Sequence, residues 1–184
     1  MIFQDLVRII GKAKWMDAKG IASIFEAVVA SHKGIVYKIA NAYCKDVEDR
    51  KDLVQEILVQ LWRSFTSYDD RYQYSTWIYR IALNVAISFC RKEHRRREIA
   101  HPMTEGLLNF ATDPSFEVDP NLLVLQQFIM DLRELDKAIM LLYLEEKSYK
   151  EIAYIMGITE TNVATKIGRI KAALKTRFEN IKNQ

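Results

Sequence analysis

All three prolines of this 184-residue chain, Pro102, Pro114 and Pro120, lie in one stretch. Proline lacks the N–H that a helix interior needs and fixes its own φ, so no such break is imposed before residue 102 or after residue 120. Only six glycines accompany them, which leaves few tight turns. The chain is expected to be all-α, with a helical block on each side of the proline stretch. Charge divides in the same place. Residues 1–97 carry 17 Lys/Arg against 11 Asp/Glu, residues 98–136 one against eight, and residues 137–184 nine against five. Two basic blocks joined by an acidic connector point to two nucleic-acid-facing modules, a pattern that the net charge of +3 conceals.

The expected organisation is an N-terminal extension over 1–23 without a clean period, a helical bundle over 24–97, an acidic, proline-containing linker over 98–121, and a helix-turn-helix domain over 122–184. From Ile24 to Cys44 the apolar residues Phe25, Val28, Val29, Ile35, Val36, Ile39, Ala40 and Tyr43 recur at helical spacing. After the charged entry Asp46–Asp52, a wide stripe follows in Leu53, Val54, Ile57, Leu58, Leu61, Trp62 and Phe65, with Asp49, Asp52, Gln55, Glu56 and Gln60 largely opposite. Taken alone, such carboxylates are a solvated face over a core stripe. Acid–base catalysis would need a cleft and a partner group as well.

The most distinctive stretch is Ser75–Arg97, STWIYRIALNVAISFCRKEHRRR. Ser75 and Thr76 are side chains that can cap a first turn. Trp77, Ile78, Ile81, Ala82, Val85 and Phe89 line one side of the helix, while Arg80, Asn84 and Arg91 share a neighbouring flank. Five of the last seven residues, Arg91, Lys92, Arg95, Arg96 and Arg97, are basic. The negative end of a helix dipole accounts for two or three such cations; five suit a polyanion. The loop before it, Tyr68–Tyr74 or YDDRYQY, adds Tyr68, Tyr72 and Tyr74, rings that either stack on unpaired bases or tuck into the core.

In the second block Leu132, Leu135, Ile139, Leu142 and Tyr143 mark one helix, and SYKEIAYIMGITETNV follows. Ser148 with Glu151 three residues on forms a capping box. Ala153, Gly157 and Val163 have the separations of a helix-turn-helix, and Thr159 caps its second helix. Val163, Ile167, Ile170 and Leu174 turn inward. Asn162, Thr165, Lys166 and Arg169 then form an outward ridge with Thr161 beside it, where side chains reach base edges and phosphates in a major groove. An ordinary helical hairpin is the plainer alternative.

Other classes find little support. The longest purely apolar run, Ala138–Leu144, is far short of a membrane span, and no apolar run near the N-terminus suits a signal peptide. Cys44 and Cys90 have no metal-ligand spacing and are expected to be reduced thiols. His32 has no second ligand nearby. No catalytic nucleophile, metal cluster or phosphate-cradling glycine loop is visible, so the expectation is a cytoplasmic protein that is no enzyme, with no cofactor and no metal.

Taken together and in order, DLVQEILVQLW, STWIYRIALNVAISFCRK and LDKAIMLLYLEEKSYKEIAYIMGITETNV resemble a bacterial RNA polymerase sigma factor of the sigma-70 family. The absence of a domain between the two modules resembles the extracytoplasmic-function subgroup. The likeness spans roughly residues 24–178. It implies that Asp52, Leu53, Gln55 and Glu56 belong to the helix that docks on the β′ clamp helices of core RNA polymerase, with the β flap as a further contact. It implies that Trp77, Arg80 and Asn84, with Tyr72 and Tyr74 of the aromatic loop, serve the −10 promoter element, where a non-template base is flipped out. Arg91, Lys92, Arg95 and Arg96 match the backbone-contacting end of that segment. Thr161, Asn162, Thr165, Lys166 and Arg169 match the recognition helix for the −35 element, and the acidic connector matches the linker that threads polymerase channels. Promoter DNA and an anti-sigma factor are the other partners implied, and membrane insertion is not.

The chain departs from the family pattern where Glu134-Leu135-Asp136 replaces a common proline. It departs again at Lys166 and Ile170, where arginine and alanine are frequent; lysine cannot make the bidentate guanine contact that arginine makes. The division of labour is physically coherent: melting DNA needs stacking surfaces and a pocket for an extruded base, whereas duplex reading needs only a helix in a groove. Two competing readings remain. A sigma-like decoy would hold an anti-sigma factor without starting transcription; such decoys usually come fused to a receiver domain, for which 184 residues leave no room. A free-standing helix-turn-helix regulator would leave DLVQE and the aromatic loop without a purpose.

Overall fold

The computed structural model describes the backbone of residues 18–99 and 120–182, and the side chains of residues 20–93 and 121–181. Most of the expected N-terminal extension and linker therefore lies outside the described residues. Within them there are seven α-helices: α1 (Ala18–Tyr43), α2 (Val47–Ser64), α3 (Tyr74–Ile99), α4 (Pro120–Asp131), α5 (Glu134–Leu144), α6 (Tyr149–Met156) and α7 (Glu160–Lys182).

α1, α2 and α3 pack on one another as a bundle. Asp46 starts α2 by accepting hydrogen bonds from the N–H groups of Glu48 and Asp49 at 2.8 and 3.2 Å, which satisfies two of the first turn's free donors. Leu53, Ile57 and Leu61 follow at four-residue steps and are fully buried. Each such side chain contributes about 1.5–3 kcal/mol by leaving water. Val28, Val36, Ile39 and Tyr43 of α1 meet them, together with Ile78, Ala82, Leu83 and Ala86 of α3. α3 begins at Tyr74, so Ser75 and Thr76 stand inside its first turn rather than before it. The N–H of Trp77 closes that turn onto the carbonyl of Gln73, and Thr76 is buried.

In the second module α4 starts on Pro120, where a missing N–H loses no helical bond. α5 starts at Glu134, and Glu134 and Asp136 place negative charge against the positive end of its dipole, which favours a helix start there without a proline. α6 has its capping box: the Glu151 N–H donates to Ser148 Oγ at 3.2 Å and the Ser148 N–H to Glu151 Oε2 at 2.9 Å. Donation from the Ser148 N–H, and then from its hydroxyl, holds the Glu151 carboxyl below the ordinary carboxylate range. Gly157 ends α6 at φ 67°, a left-handed conformation that glycine adopts without a Cβ clash. Thr159 Oγ1 accepts from the Asn162 N–H at 3.2 Å and opens α7.

Glu146, just past α5, also sits at positive φ, 57°, without glycine's freedom. The N–H of Lys147 reaches back to the Leu142 carbonyl and that of Glu146 to Tyr143, a closing pattern that favours glycine at residue 146. Glu146→Gly is expected to stabilise the chain by about 0.5–1 kcal/mol, net of the extra freedom glycine gains in the unfolded chain. A urea titration reads this as a raised midpoint at unchanged slope; a lowered midpoint contradicts it.

The two modules pack together. α3 lies against α5 and α6, and one apolar cluster runs from α1–α3 into α5, α6 and α7. The Tyr43 hydroxyl donates to the Glu134 carbonyl at 2.6 Å. Glu145 accepts from Tyr79 Oη at 3.1 Å and pairs with Lys38. The Lys38 contact, then Tyr79's, depresses the Glu145 carboxyl, while burial and that carboxylate push the Tyr79 phenol up. Lys137 is buried beside this seam with its ammonium 5.3 Å from the Tyr43 ring centre, and burial lowers its pKa.

Candidate nucleic-acid and polymerase interfaces

The exposed face of α2 carries Asp52, Gln55 and Glu56 at one-turn spacing. Leu53 does not belong to it. Its side chain is 0% exposed, between α1 and α3, so it supports that face from beneath. The same surface includes two apolar side chains, Val59 at 47% and Trp62 at 46% exposure. Trp62 keeps one edge on Phe25, at 5.0 Å between centroids and 73°. The amphipathic pattern assigns Trp62 to the core and passes over Val59; neither shows in sequence as surface.

Glu56 also pairs with Lys92 of α3 at 3.7 Å. Both side chains are well exposed, so the pair contributes little to stability, but it joins the acidic face of α2 to the basic end of α3. The side chains of Arg95 and Arg96 lie outside the described residues, although α3 continues through them.

Along α3, Arg80, Asn84 and Arg91 are exposed on one flank as their spacing implies, and Ser88 completes the row. Trp77 is half-buried, packed edge-on to Tyr68 at 5.4 Å. The aromatic loop divides its three tyrosines among different tasks. Tyr74 is a core residue at 2% exposure, stacked on Tyr68 at 4.4 Å, and is not available to a base. Tyr68 is half-buried, donates its hydroxyl to the Tyr72 carbonyl, and burial first, with Tyr74 and two nearby carboxylates, pushes its phenol up to about 12. Tyr72 alone faces outward from the bundle. Its ring stacks on Tyr154 of α6, centroids 3.9 Å apart and planes at 18°. Arg80 lies against the same Tyr154 ring, its guanidinium carbon 4.9 Å from the centroid.

On α7, Thr161, Asn162, Thr165 and Arg169 are exposed, while Val163, Ile167 and Ile170 fill the module's core. Lys166 departs from the outward ridge. It is half-buried, and its ammonium donates to Asp136 Oδ1 of α5 at 2.6 Å. A partner thirty residues away cannot be read from helical spacing.

Among the described residues no cluster of His, Cys, Asp and Glu could hold a metal ion, and no helix is long and apolar enough to cross a membrane. His32 Nδ1 is 2.9 Å from the Val28 carbonyl of its own helix.

The comparisons fit this arrangement. The family model for sigma-70 region 2 matches residues 28–96, which hold the α2 face and the α3 flank, and that for sigma-70 region 4 matches residues 122–174, which hold the helix-turn-helix. The ECF RNA polymerase sigma factor SigW of Bacillus subtilis is 28% identical over 176 residues, covering 89% of this chain and 93% of that protein. The ECF RNA polymerase sigma-E factor of Escherichia coli K12 is 26% identical over 172 residues, covering 88% and 90%. Among solved structures, the sigma factor RpoE in complex with the anti-sigma factor NepR from Bartonella quintana shares the fold with a TM-score of 0.66 at 18% identity, over 84% of this chain and 96% of that one. CnrH in complex with the cytosolic domain of CnrY does so with a TM-score of 0.63 at 20% identity, over 95% and 96%. With both regions matched in order and relatives aligned along nearly its whole length, the chain belongs to the sigma-70 family of RNA polymerase sigma factors, in the extracytoplasmic-function (ECF) subgroup.

Proposed function

We propose that this sigma factor docks on core RNA polymerase through Asp52, Gln55 and Glu56, opens the −10 element with α3 and the loop before it, and reads the −35 element with α7. The observation that carries the reading is the placement of the first two faces on adjacent helices: exposed carboxylates on α2, and beside them the exposed row Arg80, Asn84, Ser88, Arg91 behind an aromatic loop. A carboxylate face suits a basic surface of the polymerase, and a cation-rich flank with stacking rings suits single-stranded DNA. On α7, Thr161, Asn162, Thr165 and Arg169 are free to enter a major groove, and Lys166 joins them on leaving Asp136. A linker between modules 24–97 and 122–184 is in keeping with the helix ends at Ile99 and Pro120, each helix running two residues into the expected bounds of 98–121.

Its place of action is the cytoplasm, where polymerase and promoter DNA are, and a sigma factor performs no chemical step of its own. An anti-sigma factor is the expected regulator, in keeping with the two solved complexes that share this fold.

The test is size exclusion of the purified chain with core RNA polymerase at near-physiological salt. Stoichiometric co-elution is expected; a folded chain that does not co-elute would favour the decoy. Promoter reading is tested on Asn84, whose amide can bond a base edge. Asn84→Ala is expected to change base preference at −10 in a promoter-library transcription assay, with selectivity shifts of about 1–3 kcal/mol at one position. A uniform loss at every promoter counts against a base contact.

A further inference from the structure

Tyr154 packs at the edge of the apolar cluster and is not one of the buried core residues of the helix-turn-helix. Its neighbours Ile152, Ala153 and Ile155 fill that module's core, while the Tyr154 ring turns away to meet Tyr72 and Arg80 of the other module. The contact combines a near-parallel ring at 3.9 Å with a guanidinium at 4.9 Å, which is how an aromatic loop and an arginine would grip an unstacked base. We propose that Tyr154 stands in for a nucleobase: in the free chain it occupies the Tyr72–Arg80 stacking site, so the closed packing of the two modules competes directly with single-stranded DNA.

The proposal rests on the reading above, that Tyr72 and Arg80 face the −10 strand. Two arguments then require the contact to break on a promoter. One ring face holds one partner, so the face of Tyr72 that Tyr154 covers cannot hold a base at the same time. Elements centred at −10 and −35 are also about 25 base pairs apart, roughly 85 Å at 3.4 Å per pair. A chain whose two DNA-facing modules touch at 3.9 Å cannot reach both. Around the stack, the Tyr43–Glu134 and Lys38–Glu145–Tyr79 contacts hold the modules in register, so the ring is presented rather than left to find the site by chance. The apparent affinity for DNA is reduced by the fraction of chain that is open.

The experiment uses the full-length chain and a fluorescein-labelled, mixed-sequence single-stranded DNA dodecamer, read by anisotropy at low salt. An aromatic pair with this geometry predicts that Tyr154→Ala tightens binding about three- to tenfold. Tyr154→Leu, which keeps apolar bulk without a π face, is expected to do the same and serves if the alanine variant folds poorly. Tyr154→Phe keeps the ring and loses only the hydroxyl's contacts with Tyr72 and Arg80, so it is expected to tighten binding less than Tyr154→Ala. Unchanged or weaker binding by folded Tyr154→Ala and Tyr154→Leu overturns the proposal. Adding Tyr72→Ala to Tyr154→Ala separates the two failures. If the added change weakens binding, Tyr72 belongs to the DNA site whatever Tyr154 does. If it changes nothing, the assignment of Tyr72 to the DNA fails, and the proposal with it. Once core polymerase holds the modules apart, Tyr154→Ala is expected to leave promoter affinity unchanged. A change there would mean that Tyr154 touches DNA itself, and would also overturn the proposal.

Discussion

Replacing Asp52 and Glu56 together with lysine is expected to abolish co-elution with core RNA polymerase while leaving the helical circular dichroism spectrum intact. Both side chains are exposed on α2, and the only charged contact either makes within the described residues is the 3.7 Å pair of Glu56 with Lys92. Losing that pair changes folding stability by less than about 1 kcal/mol. The effect at an interface is much larger: the double change reverses two charges, and like charges brought together in a docked surface cost several kcal/mol. A complex that is stoichiometric at micromolar concentration would then fall below detection. Loss of helix content in the variant would instead make the pair structural and withdraw α2 as the docking surface.

Leu53→Ala, one residue away, is expected to do the reverse. Leu53 is fully buried beneath the α2 face, so truncation leaves a cavity among α1, α2 and α3. The expected loss is about 2–5 kcal/mol, read as a lowered urea midpoint. The fraction that remains folded is expected to bind polymerase with unchanged affinity. Weakened binding by fully folded Leu53→Ala would return Leu53 to the interface. Adjacent residues of one motif thus separate fold from function.

Leu53 also shows what the sequence made legible. Its four-residue spacing to Ile57 and Leu61 marks a core position, whereas the motif DLVQE groups it with the docking carboxylates; the periodic signal was the better guide. The helices and the cap at Ser148 were readable because they depend on residues within a turn or two of one another. Tyr74 and Lys166 were not readable. Whether a tyrosine before a helix stacks outward or enters the core is decided by Tyr68 and by the neighbouring helices. Whether a lysine on a recognition helix points to solvent is decided by Asp136 on another helix. Ser75 and Thr76 read as caps, yet α3 begins at Tyr74 and the bundle buries Thr76 inside the first turn. Least legible was the packing of the two modules, since hydrophobic periodicity gives the face a helix buries and not the element that covers it.

The apolar cluster that continues from α1–α3 into α5–α7 has a calorimetric consequence. Two modules with separate cores would melt as two events, each with its own enthalpy. A shared core couples them, so heating the free chain should give one endotherm whose van't Hoff enthalpy matches the enthalpy of the whole molecule. Held open on polymerase, the same residues would no longer melt as a unit, and the chain's cooperativity would depend on its partner as well as its sequence.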